Sequence, residues 1–285
     1  MIDFFNALFD PDLLFLRNAV IVGILASISF GVIGTYVVTK KISYLAGAIS
    51  HSAFGGIGGA IYMNKVMGFS FIDPIHGAIV SALGSAILIG LVSLHARERE
   101  DTVIGAIWAV GMAAGLLFID LTPGYFEISS FLFGDILLIS SGDISMVICL
   151  DIVIVMISVL FFNKLLAVCF DDEYATLRGV NSAGYYILLL CLTALTVVLL
   201  VRIVGIVMVI ALLTLPPAVA GRFTTSMGKM MALSIFFCML FNVTGLGVSF
   251  SKGLSSGPTI IVIAALTYLF VILLNRIRVI FKNSH

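Results

Sequence analysis

The sequence predicts an all-α polytopic membrane protein with eight or nine transmembrane helices. Three observations carry that expectation. Of the 285 residues, 61% are hydrophobic and only 11% are charged, whereas a soluble domain carries about 25% charged residues. The apolar residues fall in runs of about 20, the length that crosses a bilayer as a helix. The basic residues sort to one side of those runs. No polar stretch is long enough for a separate soluble domain, so residues 1–285 read as one transmembrane domain surrounded by membrane lipid.

Eight runs are free of Lys, Arg, Asp and Glu: 18–39, 42–64, 74–96, 102–119, 180–201, 203–221, 230–251 and 253–275. A ninth, 144–163, holds one carboxylate, Asp151. Between 102–119 and 144–163 lies FEISSFLFGDILLIS (126–140), too short and too polar for a clean span. It reads as an interfacial or re-entrant helix within an external segment, 120–143. The run 203–221 contains Pro216 and Pro217 and follows 180–201 across Arg202 alone. As a broken or re-entrant helix it reduces the count to eight and moves the N-terminus to the inside.

With nine crossings, one set of connections holds Lys40, Lys41, Arg97, Arg99, Lys164, Arg178, Arg222, Lys229, Arg276, Arg278 and Lys282. The other holds Arg17, Lys65, Arg202 and Lys252. Eleven basic residues against four place the first set in the cytoplasm, the N-terminus outside and the C-terminus inside. The start, MIDFFNALFDPD, lacks a basic n-region and is not read as a cleavable signal peptide. The net charge is zero, so a nucleic-acid partner has no electrostatic basis. Cys149, Cys169, Cys191 and Cys238 have no metal-ligand spacing and read as small buried hydrophobes.

A charged island, DDEYATLRG (171–179), separates two apolar runs on the cytoplasmic side. It predicts a short helix. Asp171, Asp172 and Glu173 suit the positive N-terminal end, Arg178 the negative C-terminal end, and Gly179 the close. A polar helix folded into a tight loop offers a handle to something soluble.

Residues able to carry chemistry are few. In YLAGAISHSAFGGIGGA (44–60), Gly47, His51, Gly55 and Gly59 share one i+4 stripe. Such small residues let helices approach closely or line a cavity. His51 stands among them as a soft-metal ligand, as a proton carrier, or as a histidine bonded across a helix interface. Asp151 inside a span costs about 2.5–3.5 kcal/mol on insertion scales and needs an interior, a partner or water. Asp120, Glu127, Asp135 and Asp143 make the external segment acidic, and Asp135 stands in the apolar FLFGDIL. His76 and His95 read as interfacial. In LLTLPPAVAG (212–221), Pro216 and Pro217 remove backbone donors, which frees carbonyls to line a path or form a hinge.

The absences narrow the function. No G-x-x-x-x-G-K-[ST] loop is present, so ATP hydrolysis lies outside this chain. Neither H-E-x-x-H nor G-x-S-x-G occurs. Ser50 and Ser52 flank His51 but point about 100° away from it on a helix, so they make no nucleophile–base pair.

Five ordered segments resemble the permease subunits of the zinc-, manganese- and iron-type ABC importers. They are YLAGAISHSAFGG, REREDTVIGAIWAVGMAAGLL, FLFGDILLIS, FDDEYATLRGV and VGIVMVIALLTLPPAVA. The resemblance implies a type II-like permease fold and a homodimer in the inner or plasma membrane of a prokaryote. It implies two ATPase subunits on the cytoplasmic face and an extracytoplasmic metal-binding protein. The cargo is then a divalent transition-metal ion, no cofactor is held permanently, and ATP acts through the partner. The resemblance implies that residues 171–179 are the cytoplasmic coupling helix, with Tyr174, Leu177 and Arg178 as its contacts, and that His51, Asp135 and Asp151 form the metal pathway. Many members carry Asp four residues before the motif His; here that position is Gly47. Another acid (Asp135 or Asp151) compensates, ion handling is weaker, or the ion differs. Two alternatives stay open: a permease for a metal chelate or vitamin, and a stand-alone secondary metal transporter.

Overall fold

The computed structural model describes all residues except 1–3, 5–6, 9, 11–12, 96–99, 125, 127, 135–140 and 284–285. Among the described residues every regular element is a helix. In chain order they are α1 (Leu14–Thr39), α2 (Ser43–Lys65), α3 (Pro74–His95), α4 (Glu100–Asp120), α5 (Ile128–Phe133) and α6 (Ser141–Leu160). They continue with α7 (Phe162–Phe170), α8 (Asp172–Leu177), α9 (Ser182–Val204), α10 (Ile206–Ala220), α11 (Met227–Lys252) and α12 (Ser256–Asn283). Six stretches are long and apolar enough to cross a membrane: Leu14–Thr39, Pro74–Leu94, Asp101–Asp120, Gly142–Leu160, Met227–Lys252 and Ser256–Ile277. Ser182–Val198 and Ile206–Ala220 are shorter apolar helices.

The centre is α1, against which α6, α10 and α11 pack. Polar bonds fix it, because lipid offers no hydrophobic drive between helices. Asn242 of α11 donates to the Gly23 carbonyl and to Ser27 Oγ, both at 3.0 Å. Thr35 donates to Ser234 at 3.2 Å. On the other side, α2 lies between α3 and α4. Glycine lets the backbones meet: a Cβ on Gly55 would sit 2.8 Å from the Gly111 carbonyl, and one on Gly58 2.6 Å from that of Gly115.

The break that separates α9 from α10 is Gly205, at φ +81°. That backbone region favours glycine. The same residue abuts the end of α5 at Phe133 and Gly134, and Gly257 at the start of α12 abuts the Phe133 carbonyl. Three non-consecutive segments thus meet around residues 132–134. Within α10, Pro216 and Pro217 are both buried. They leave the Leu212 and Leu213 carbonyls without their i+4 donors. The Leu213 carbonyl faces Gly34 of α1 at a distance no Cβ could share.

Two of the cysteines, Cys169 and Cys238, are buried as expected. Cys149 is exposed on α6, which corrects the expectation for that residue. It occupies an outward helix position, where an apolar surface needs no protein cover.

Candidate functional site

The charged island forms α8, six residues long. Asp171 caps it, accepting the Tyr174 backbone N–H at 2.9 Å. Gly179, at φ +77°, turns the chain out of it. The buried Ala175 anchors the helix from below. Lys40, at the end of α1, donates to the Val168 carbonyl at 2.8 Å and pairs with Asp172 at 2.5 Å. This clamp was not visible in the sequence; the only signal was a lysine pair directly after an apolar run. Arg178 lies 5.9 Å from the centre of the Tyr174 ring. Leu177 is 85% exposed and Tyr174 56%, with Phe170 beside them at 70%. Beneath the island, burial pushes the Cys169 thiol up to about 12, so it packs as a hydrophobe and does not act as a thiolate.

Lys40→Met should therefore loosen α8 without unfolding the bundle. Asp172 is half-exposed, so the pair contributes about 1 kcal/mol or less. Hydrogen exchange is expected to speed up over residues 171–179 alone.

His51 lies in α2 and is 7% exposed. Trp108 stacks on it, with ring centres 4.7 Å apart and planes 24° apart. His51 Nδ1 is 3.4 Å from Met112 Sδ. Trp108 and Met112 are four apart on α4, so one turn of that helix covers the imidazole. Neither was singled out from the sequence, because nothing local to His51 points to a residue 57 positions on. One turn before His51, a Cβ on Gly47 would sit 2.5 Å from Trp108 Cζ3. The indole occupies the place a side chain at 47 would take. A Cβ on Gly59 would make only an ordinary contact, 3.6 Å from Phe118.

Gly47→Asp is expected to push Trp108 off the imidazole. Trp108 is the single tryptophan of the chain. Its emission should shift to the red as the ring leaves the stack; an unchanged spectrum would contradict the contact.

Asp151 of α6 is 6% exposed and accepts a short hydrogen bond from Ser29 of α1. Its second oxygen has no partner among the described residues. The helices differ in their main neighbours: α6 packs on α1, whereas α2 packs on α3 and α4. Asp135 lies outside the described residues. No cluster of three His, Cys, Asp or Glu side chains forms among the described residues. A second polar group adjoins His51: Ser52 Oγ lies 2.8 Å from Ser81 Oγ and 2.5 Å from Ser85 Oγ, which ties α2 to α3.

The ABC 3 transport family matches residues 12–275. A probable metal transport system membrane protein of Chlamydia trachomatis is 36% identical over 97% of this chain and 93% of its own. A manganese transport system membrane protein of Listeria monocytogenes is 29% identical over 89% and 88%. Among solved structures, PsaBC from Streptococcus pneumoniae in complex with Fab superposes with a TM-score of 0.83 at 28% identity, over 95% of each chain.

Proposed function

We infer how the parts of this chain divide their work from the premise that it belongs to the ABC 3 transport family. It is the permease subunit of a metal ABC importer and not itself an enzyme. The observation that carries this reading is α8, a capped and clamped helix that holds Leu177 out in the open beside Tyr174. With no phosphate loop in the chain, such a helix is the seat of a separate ATPase. ATP binding and hydrolysis there move α8, and the bundle alternates between outward- and inward-facing states.

The finer proposals are these. Two copies form a homodimer, two ATPase subunits dock on its cytoplasmic face, and an extracytoplasmic protein delivers a divalent transition metal. Residues 1–285 are one permease domain crossing the membrane nine times, with α5 in an external segment (120–143). Helix ends support that count. Lys40, Ser93, Asp172 and Tyr186 gather at one end, and Gly134, Gly205 and Gly257 at another meeting point. Alternate crossings put the first group inside and the second outside. Pro216 and Pro217 serve as the hinge of α10. His51 is the pathway residue, and Asp135 remains the acid proposed for the external segment. Asp151 is the remaining pathway acid; its Ser29 bond also makes it a clasp between α1 and α6.

Copurification of the chain with an ATPase subunit whose turnover rises on adding metal tests the assignment. His51→Ala should lower uptake while assembly is preserved. Asp151→Asn keeps an acceptor for Ser29 and should preserve assembly; unchanged uptake would leave the residue as a clasp alone.

A further inference from the structure

The later part of the chain gathers cations without acids to meet them. No Asp or Glu follows Glu173, whereas eight lysines and arginines do. Two of these, Arg222 and Lys229, line a cavity of about 580 Å³ where the chain turns from α10 into α11. Thr225 and Ser226 add hydroxyls to the same wall. Thr224 fixes the turn, its hydroxyl accepting the Ser226 N–H at 3.3 Å. Arg222 and Lys229 are both exposed and have no ion-pair partner among the described residues. A cavity lined by two cations and no carboxylate attracts an anion.

The helix beneath the cavity narrows the class of anion. The cavity sits at one end of Met227–Lys252, a stretch long and apolar enough to cross a membrane. Lys229, Ala232, Phe236 and Leu240 follow at intervals of three or four residues, so they share one face of α11. All four are exposed, and Ala232 also lines the cavity. From Lys229 to Leu240 the helix rises about 16 Å, roughly half of a hydrocarbon core of about 30 Å and hence the depth of one leaflet. In the turn itself, the exposed Phe223 packs on Phe237 with ring centres 6.1 Å apart, which sets an aromatic at the same border. A free phosphate would use the cavity alone. A molecule with an anionic head and an apolar tail uses the cavity and the stripe together. The volume falls within the range of about 300–1,000 Å³ typical of small-molecule sites, so a whole headgroup fits.

We propose that the α10–α11 turn is a binding site for an anionic phospholipid. Arg222 and Lys229 hold its phosphate, and the hydroxyls of Thr225 and Ser226 complete the hydrogen bonds. An acyl chain lies along Ala232, Phe236 and Leu240. A zwitterionic lipid is disfavoured, because its choline brings a third cation to the same place. The site goes beyond the permease reading and requires only that α11 spans the membrane.

The purified full chain in detergent is titrated with phosphatidylglycerol and with phosphatidylcholine of the same acyl chains, and bound lipid is counted by native mass spectrometry. Phosphatidylglycerol should bind with a Kd at least about tenfold lower, which is about 1.4 kcal/mol. The double substitution Arg222→Gln with Lys229→Gln should cut that preference to about twofold or less. Both side chains are exposed, so its size-exclusion profile should match wild type. Lys252→Gln, at the far end of α11, should keep the full preference; an equal loss there would point to bulk charge and overturn the site. Equal Kd values for the two lipids in the wild-type chain would also overturn it, as would a double variant that keeps the preference. Displacement of phosphatidylglycerol by an equal concentration of inorganic phosphate would overturn it in favour of a free-phosphate site. Loss of ATPase copurification in the double variant, with lipid preference intact, would make the turn a protein contact instead. ATP-driven metal uptake that persists in phosphatidylcholine vesicles alongside any of these overturning results would remove the lipid site and leave the permease reading standing.

Discussion

Leu177→Asp is expected to cut ATP-driven metal uptake to below about a tenth of wild type while leaving the permease folded in the membrane. Leu177 is 85% exposed, so its replacement removes almost no internal packing. Burying a leucine in a partner's groove stabilises by about 1.5–3 kcal/mol, and a carboxylate there loses that and must also be desolvated. Central anchors of an interface cost about 2 kcal/mol or more when truncated. Uptake should therefore fall below about a tenth of wild type. Wild-type uptake in Leu177→Asp would remove α8 from the coupling path.

Gly111→Leu has the largest expected effect on the fold. Its Cβ would sit 2.7 Å from the His51 carbonyl oxygen and from the Ser52 Cα. Both are backbone atoms inside a helix, so no side-chain rotation relieves the clash. Overpacking costs about 1–3 kcal/mol where side chains can yield, and here α2 and α4 must separate. Folded yield should fall at least about tenfold, and Trp108 and Met112 should leave His51. Gly105→Leu is the matched control on the same helix, because a Cβ at Gly105 meets nothing within 4 Å. Its folded yield should equal wild type by size-exclusion chromatography of the solubilised protein. Equal yields for the two variants would contradict the close α2–α4 contact.

The two variants mark the boundary between what local sequence reveals and what it does not. Helix ends were legible because their signals are adjacent. Asp171 caps α8 and Gly179 ends it, three residues and one turn from the groups they serve. The small-residue stripe around His51 was legible for the same reason, as a period of four within one helix. Partners across helices were not. Met112 reaches His51 over 61 residues, Ser29 reaches Asp151 over 122, and Lys40 reaches Asp172 over 132. Apolar runs of similar composition carry no local mark of which neighbour each will face. Gly47 illustrates the consequence. In the sequence it is a missing carboxylate; in the fold it is the space that Trp108 fills.

The α9–α10 junction shows a partial reading. The short run 203–221 with its proline pair pointed to irregularity near Arg202. The break itself falls at Gly205, where positive φ and contact with Gly134 both require glycine. The prolines lie eleven and twelve residues on, inside α10, and act there on the Leu212 and Leu213 carbonyls instead.

The central claim is that this chain moves metal only when an ATPase subunit drives it. Its direct test is radiolabelled-metal uptake into vesicles holding the chain with or without the ATPase, in the presence and absence of ATP. Accumulation only with both ATPase and ATP is the predicted result. ATP-independent uptake by the chain alone, at the same rate, would contradict it and identify a secondary transporter.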